Sequence, residues 1–214
     1  MKKLRKLTGP VLLAAILLLA VRGLLVGHLQ LAPPLNVPGL PEGEHVLVGL
    51  TDYGLRLPGE AYWGYHRLGY GEPRLLEGVV FTVPVDRKPN QKPLWRYEAG
   101  LCSALPGDTV WVDPERRLIL PARTSPDARP VVVPRSGQAV NLTPHNARLM
   151  AYLLTHYEHV EAQPTDSGRL LVGGREATRV RLRNDYYWIE TRPDSFLLVP
   201  HRALVGKILC AFSF

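Results

Sequence analysis

Cysteine is scarce in this chain. Cys102 and Cys210 are the only two in 214 residues, too few for a disulfide framework. They allow one bridge in an oxidising compartment, or two small buried apolar side chains. No block of interleaved arginines and aromatics is present, which argues against a nucleic-acid partner. There is no internal repeat and no low-complexity tract, so solenoid and linker architectures are excluded. No serine or threonine occurs between Thr8 and Thr51. Past the first six residues, lysine is confined to Lys88, Lys92 and Lys207. His145, His156 and His159 do not form a zinc signature, because their spacing brings no third strong ligand to one face. No cofactor motif is read. What the chain does have is glycine (19) and proline (20), a composition that favours strands and turns over helix bundles.

The net charge is +7, and Lys2, Lys3, Arg5 and Lys6 supply four of the positive charges. The apolar run Val11–Val21 follows at once, and Gly23–Gly27 extends it beyond Arg22. A bilayer core needs about 20 apolar helical residues. The stretch from Leu7 to about Val26 therefore predicts a transmembrane anchor, with the basic tip in the cytoplasm. A cleaved signal peptide is the rival reading, weakened by the lack of a good pair of small residues for cleavage. The expected organisation is a tip and anchor over 1–28 and an extracytoplasmic β domain over 29–214. The expected location is the cytoplasmic (inner) membrane, with a single pass and the bilayer as a partner.

Short apolar runs alternate with turn signals beyond the anchor. Strands are predicted over His45–Leu50, Gly78–Val85, Thr109–Val112, Arg117–Leu120, Tyr186–Ile189, Phe196–Val199 and Leu204–Phe214. Arg169–Val172 and Ala177–Leu182 are expected to form a hairpin around Gly173-Gly174. One helix is predicted over about 144–160, capped by Thr143 and opened by Pro144, with Leu149, Leu153 and Tyr157 on its buried face. Met150 and Leu154 widen that face. The Gly/aromatic stretch 57–73 has the composition of an interfacial loop as well as of a packed one.

Several segments, in one order, carry a resemblance. They are Leu31-Ala-Pro-Pro-Leu-Asn-Val-Pro-Gly-Leu-Pro-Glu-Gly-Glu-His-Val46, Glu77-Gly-Val-Val-Phe81, Pro106-Gly-Asp-Thr-Val110 and Val199-Pro-His-Arg-Ala-Leu-Val-Gly-Lys207. The chain resembles the bacterial type I signal peptidase family, which cleaves signal peptides with a serine nucleophile and a lysine base. The resemblance implies a mainly β fold: one N-terminal transmembrane helix, then a signal-peptidase-like β domain with one inserted helix.

It also places Leu35 at the nucleophile position, Asn36 beside it and Gly100 at the base position, so neither reacting group is present. Leucine has no nucleophilic oxygen, and glycine cannot take a proton. The resemblance implies a peptide groove around Leu35, Asn36, Pro38, Val79 and Phe81, filled by an added strand. It makes Pro106, Gly107 and Asp108 a structural turn. The expected function is a catalytically inactive, signal-peptidase-like protein that binds extended signal-peptide segments or assists an active signal peptidase. Two alternatives stay open: an active signal peptidase with a non-standard site, for which Ser103 or a grouping of Ser195, Asp194 and His201 are the available residues, and a purely structural envelope protein. Restoring both groups, Leu35→Ser with Gly100→Lys, is the test that this register suggests.

Overall fold

Strand β5 (Gly78–Val85) explains the architecture, because it is apolar at nearly every position. Side chains of a strand alternate between faces, so an unbroken apolar run requires both faces to be covered. Val79, Phe81 and Val83 enter one core cluster with Cys102, Ala104, Leu153 and Tyr186. Val80 enters a second cluster on the other face, with Val46, Val48, Ala99, Leu101 and Ile208.

The computed structural model describes Leu18 and residues 22–35, 37, 39–40, 42–57, 64–85, 94–113, 118–120, 126–192 and 195–213. In chain order its strands are β1 (Val26–Leu35), β2 (Gly43–Gly49), β3 (Leu55–Arg56), β4 (Arg67–Leu68), β5, β6 (Leu94–Ala104), β7 (Thr109–Asp113), β8 (Leu118–Leu120) and β9 (Arg129–Val132). Then come β10 (Ala139–Asn141), β11 (Ala162–Pro164), β12 (Leu170–Val172), β13 (Arg175–Ala177), β14 (Arg179–Arg181), β15 (Tyr186–Arg192), β16 (Ser195–Pro200) and β17 (Leu204–Phe212). Seven of them form one sheet in the order β1-β2-β17-β5-β6-β15-β16, with every neighbour antiparallel. Four small sheets carry the remaining strands.

The fold is mainly β, but the anchor is corrected. The predicted span over 7–26 lies largely outside the described residues. Its described remainder, Leu18 and residues 22–25, is helical and leads into β1 at Val26. Among the described residues no helix is long and apolar enough to cross a membrane. A single-pass inner-membrane protein is therefore not supported. The expected domain boundary at 28/29 also falls inside β1, where Val26 to Gln30 pair with Gly49 to His45.

The helix spans Ala147–His156, shorter than the predicted 144–160. Its start is delayed by two polar side chains. The Thr143 N–H donates to Asn146 Oδ1 (2.8 Å) and the Asn146 N–H donates to Thr143 Oγ1 (3.3 Å), holding a turn ahead of the helix. Its end is set by His159, whose φ of 56° is left-handed, while the Val160 N–H folds back to the Leu154 carbonyl. Met150, Leu153 and Leu154 are buried against the first cluster, and Tyr157 joins them. The predicted hairpin closes earlier than expected. β12 pairs with Arg175–Ala177, whereas residues 179–181 leave for β10 in another sheet.

Candidate functional site

Leu35 ends β1 opposite Gly43. Asn36 and Pro38 lie outside the described residues. Leu31 and Val37, on either side of Leu35, are buried in one cluster with Ala99 and Leu101 of β6, so segment and strand meet. Gly100 does not share that face. It sits opposite Val79, whose side chain points into the other cluster. A side chain at 100 would project away from the 31–37 segment. It would also have no room: a Cβ there falls 2.2 Å from the Glu190 carbonyl oxygen and 2.7 Å from Ile189 Cγ2. Gly100 is the residue that lets β15 come close.

The other described groove candidates lie in β5. Val79 and Phe81 are fully buried in the core. β5 has β17 on one edge and β6 on the other, so no peptide can add to it as a further strand.

The Pro106-Gly107-Asp108 turn has a clear structural role. Gly107 takes a φ of 93°, a left-handed value that suits the third position of a turn opened by proline. The Asp108 N–H donates to the Leu105 carbonyl (3.0 Å), and Asp108 Oδ2 accepts from the Leu105 N–H (2.8 Å). Arg135 Nη2 donates to the Pro106 carbonyl (2.8 Å) and fastens the turn from outside.

Among the described residues, Ser103 and Ser195 bond within their own strands or hairpin. Ser103 Oγ donates to the Leu101 carbonyl of its own strand (3.4 Å), and Ser195 Oγ accepts from Thr191 (3.4 Å). Asp194 lies outside the described residues. His201 is buried and meets Asp185 instead: its N–H donates to the Asp185 carbonyl (2.8 Å). Its Nε2 faces the Gly71 carbonyl at 2.8 Å. A carbonyl only accepts, so Nε2 carries the proton. The Tyr70 ring stacks on the imidazole at 4.3 Å, and its hydroxyl donates to Asp185 Oδ2 (3.1 Å). The one serine bound to this cluster, Ser136, gives its N–H to Asp185 Oδ1 (2.9 Å) and its hydroxyl to the Arg183 carbonyl (2.8 Å). The cluster joins three loops and holds no activated hydroxyl.

Burial lowers the His201 pKa, and the neighbouring Arg67 charge adds to this, against the opposing effect of the Gly71 bond. The folded state thus resists a proton that the unfolded chain accepts. The stability tied to His201 is complete above the ordinary value of 6.5 and falls as pH drops below it, levelling off beneath the folded value. Urea midpoints across that range should fall less steeply in His201→Gln, which keeps a donor for Gly71. Equal slopes would show that His201 is not the source.

Both cysteines are free, Cys102 buried and Cys210 exposed, so the bridge is not formed. Burial, with the Glu77 charge nearby, pushes the Cys102 thiol up to about 12, which leaves it unreactive. Tyr65, in the 57–73 stretch, packs between Arg56 (5.4 Å) and Arg67 (5.7 Å), so its ring is engaged within the protein.

The site that sequence reasoning missed is a trough of about 510 Å³. Leu24, Leu50, Leu55, Leu57, Trp95, Tyr97 and Val205 line it, with Thr82 and Arg56 as the polar groups. Trp95 and Tyr97 have the parity of Ala99 and Leu101, and Thr82 that of Val80. The trough therefore continues the face against which segment 31–37 packs. Trp95 and Tyr97 stay 39% and 44% exposed, an expensive arrangement for large aromatics unless something covers them. Thr82 Oγ1 donates to the Ala203 carbonyl (3.3 Å), so its hydroxyl is already satisfied. β6 has no counterpart among the predicted strands. The available signal was the two-residue repeat Trp95, Tyr97, Ala99, Leu101. No family model matches this sequence, and no curated protein matches it.

Proposed function

We propose that this chain is a signal-peptidase-like binding protein without peptidase chemistry, which holds an apolar stretch of an extended peptide in the trough. The observation that carries the proposal is the open apolar trough beside the 31–37 segment, with Trp95 and Tyr97 standing exposed in its wall. Its volume lies in the range of small-ligand sites, and its lining is apolar with few polar groups, as recognition of an apolar segment requires. The apolar core of a signal peptide has that chemistry. No hydroxyl nucleophile occurs on the 9–50 stretch that reaches the trough, so bound peptide would be held rather than cut. Contact is through side chains, since both edges of β5 are taken.

Titration with a ten-residue Leu/Ala peptide should shift Trp95 emission to the blue. Trp95→Ala should weaken binding at least about tenfold, the loss expected of a buried aromatic anchor. The same peptide with serine in place of leucine should not bind. Equal affinity of the wild type and Trp95→Ala would refute the proposal.

A further inference from the structure

β14 alternates Arg179 exposed, Val180 buried and Arg181 exposed. Leu182, buried, and Arg183, exposed, continue the pattern. The two-residue repeat of the strand places Arg179 and Arg181 on one face, about 6.8 Å apart, and Arg183 follows, exposed, in the bend just beyond it. Their backing is firm, because Val180 and Leu182 enter the core and β10 pairs with the strand from one side. The three guanidinium groups have no hydrogen-bond or ion-pair partner among the described residues.

Glu158, Glu176 and Asp185 are engaged elsewhere. Glu158 accepts from the N–H groups of Arg183 (3.1 Å) and Asn184 (3.3 Å), from Asn184 Nδ2 (2.9 Å) and from the Tyr186 hydroxyl (3.0 Å). Glu176 is held by Arg169, and Asp185 by Ser136 and Tyr70. Beside the arginines a slot of about 290 Å³ opens, walled in part by Val160, Val172 and Ala177. It shares no residue with the trough.

We propose that this face is a docking surface for an extended acidic peptide. Aspartate or glutamate at every second residue pairs with Arg179, Arg181 and Arg183, and an apolar side chain enters the slot. An extended peptide has the same two-residue repeat as β14, so successive carboxylates meet Arg179 and Arg181 in register, with Arg183 close by at the end of the strand. Guanidinium–carboxylate pairs are bidentate and directional. The apolar slot supplies a second anchor that a phosphodiester backbone would not use. Like charges held in register repel one another, and that repulsion is relieved only when an anion binds.

Anisotropy of a labelled octapeptide alternating glutamate with alanine and leucine, titrated with the full chain, tests this. Binding should weaken steeply between about 50 and about 300 mM salt, as screening demands. Arg181→Glu should weaken it at least about tenfold, and the triple variant Arg179→Glu/Arg181→Glu/Arg183→Glu should abolish it. All three positions are exposed, and an unchanged urea midpoint for Arg181→Glu confirms that the fold is kept. The proposal is overturned if the peptide does not bind, or if Arg181→Glu leaves binding unchanged. It is also overturned, as to the class of partner, if an oligonucleotide or anionic phospholipid vesicles bind more tightly through the same arginines.

Discussion

The double variant Leu35→Ser, Gly100→Lys should cleave no signal-peptide substrate and should lose at least about 3 kcal/mol of folding stability, the upper end of the cost of overpacking. The loss should come almost wholly from position 100. A Cβ there meets the Glu190 carbonyl at 2.2 Å, so β6 and β15 must separate before the rest of a lysine is even placed. Gly100→Ala alone should therefore reproduce most of the drop in urea midpoint, and Leu35→Ser alone should not. A lysine that was accommodated would still point to the Val79 face, away from the 31–37 segment. Inactivity of the double variant then follows from where the side chain projects. Recovered cleavage would overturn the placement of Gly100 and with it the non-catalytic reading.

Phe81→Ala should cost about 3–5 kcal/mol, the range for emptying a fully buried phenylalanine site. For a chain of this size that is a fall in Tm of about 10 °C. The affinity of the folded fraction for an apolar peptide should stay within about twofold, because Phe81 faces the helix side of the sheet and the trough lies on the other side. A calorimetric scan and the Trp95 titration on the same preparation separate the two effects. Loss of affinity at unchanged stability would restore Phe81 to a groove.

The resemblance puts the strand of Val79 and Phe81 beside the nucleophile position and so implies a groove there. Their apolar character equally fits a core strand covered on both faces, and a one-dimensional pattern does not say which face is open. The resemblance sets Gly100 at the base position, eight residues before Asp108. The parity of the strand, set by its pairing with Val79, shows that its side chain direction is wrong for that role. The trough was not legible at all. Its lining comes from residues 23–24, 50, 55–57, 82, 95, 97 and 205, and no local spacing connects them. By contrast the arginine repeat at 179, 181 and 183 was visible in the sequence, and only the absence of a counter-charge needed the structure.

Local chemistry alone determined much of this protein. Proline followed by glycine and aspartate makes the 105–108 turn, because only glycine takes the left-handed conformation there without strain. The β-branched run makes Gly78–Val85 a strand, and the spacing of four makes Leu153 and Tyr157 the buried face of a helix. That no serine or threonine stands between Thr8 and Thr51 is likewise fixed by the sequence. Tertiary structure decided the rest: that Val26 already belongs to the sheet, that Asp185 meets His201, and that Trp95 and Tyr97 border an open trough. These depend on which strands become neighbours. Strand pairing joins residues more than a hundred positions apart, through backbone hydrogen bonds that are nearly blind to side-chain identity.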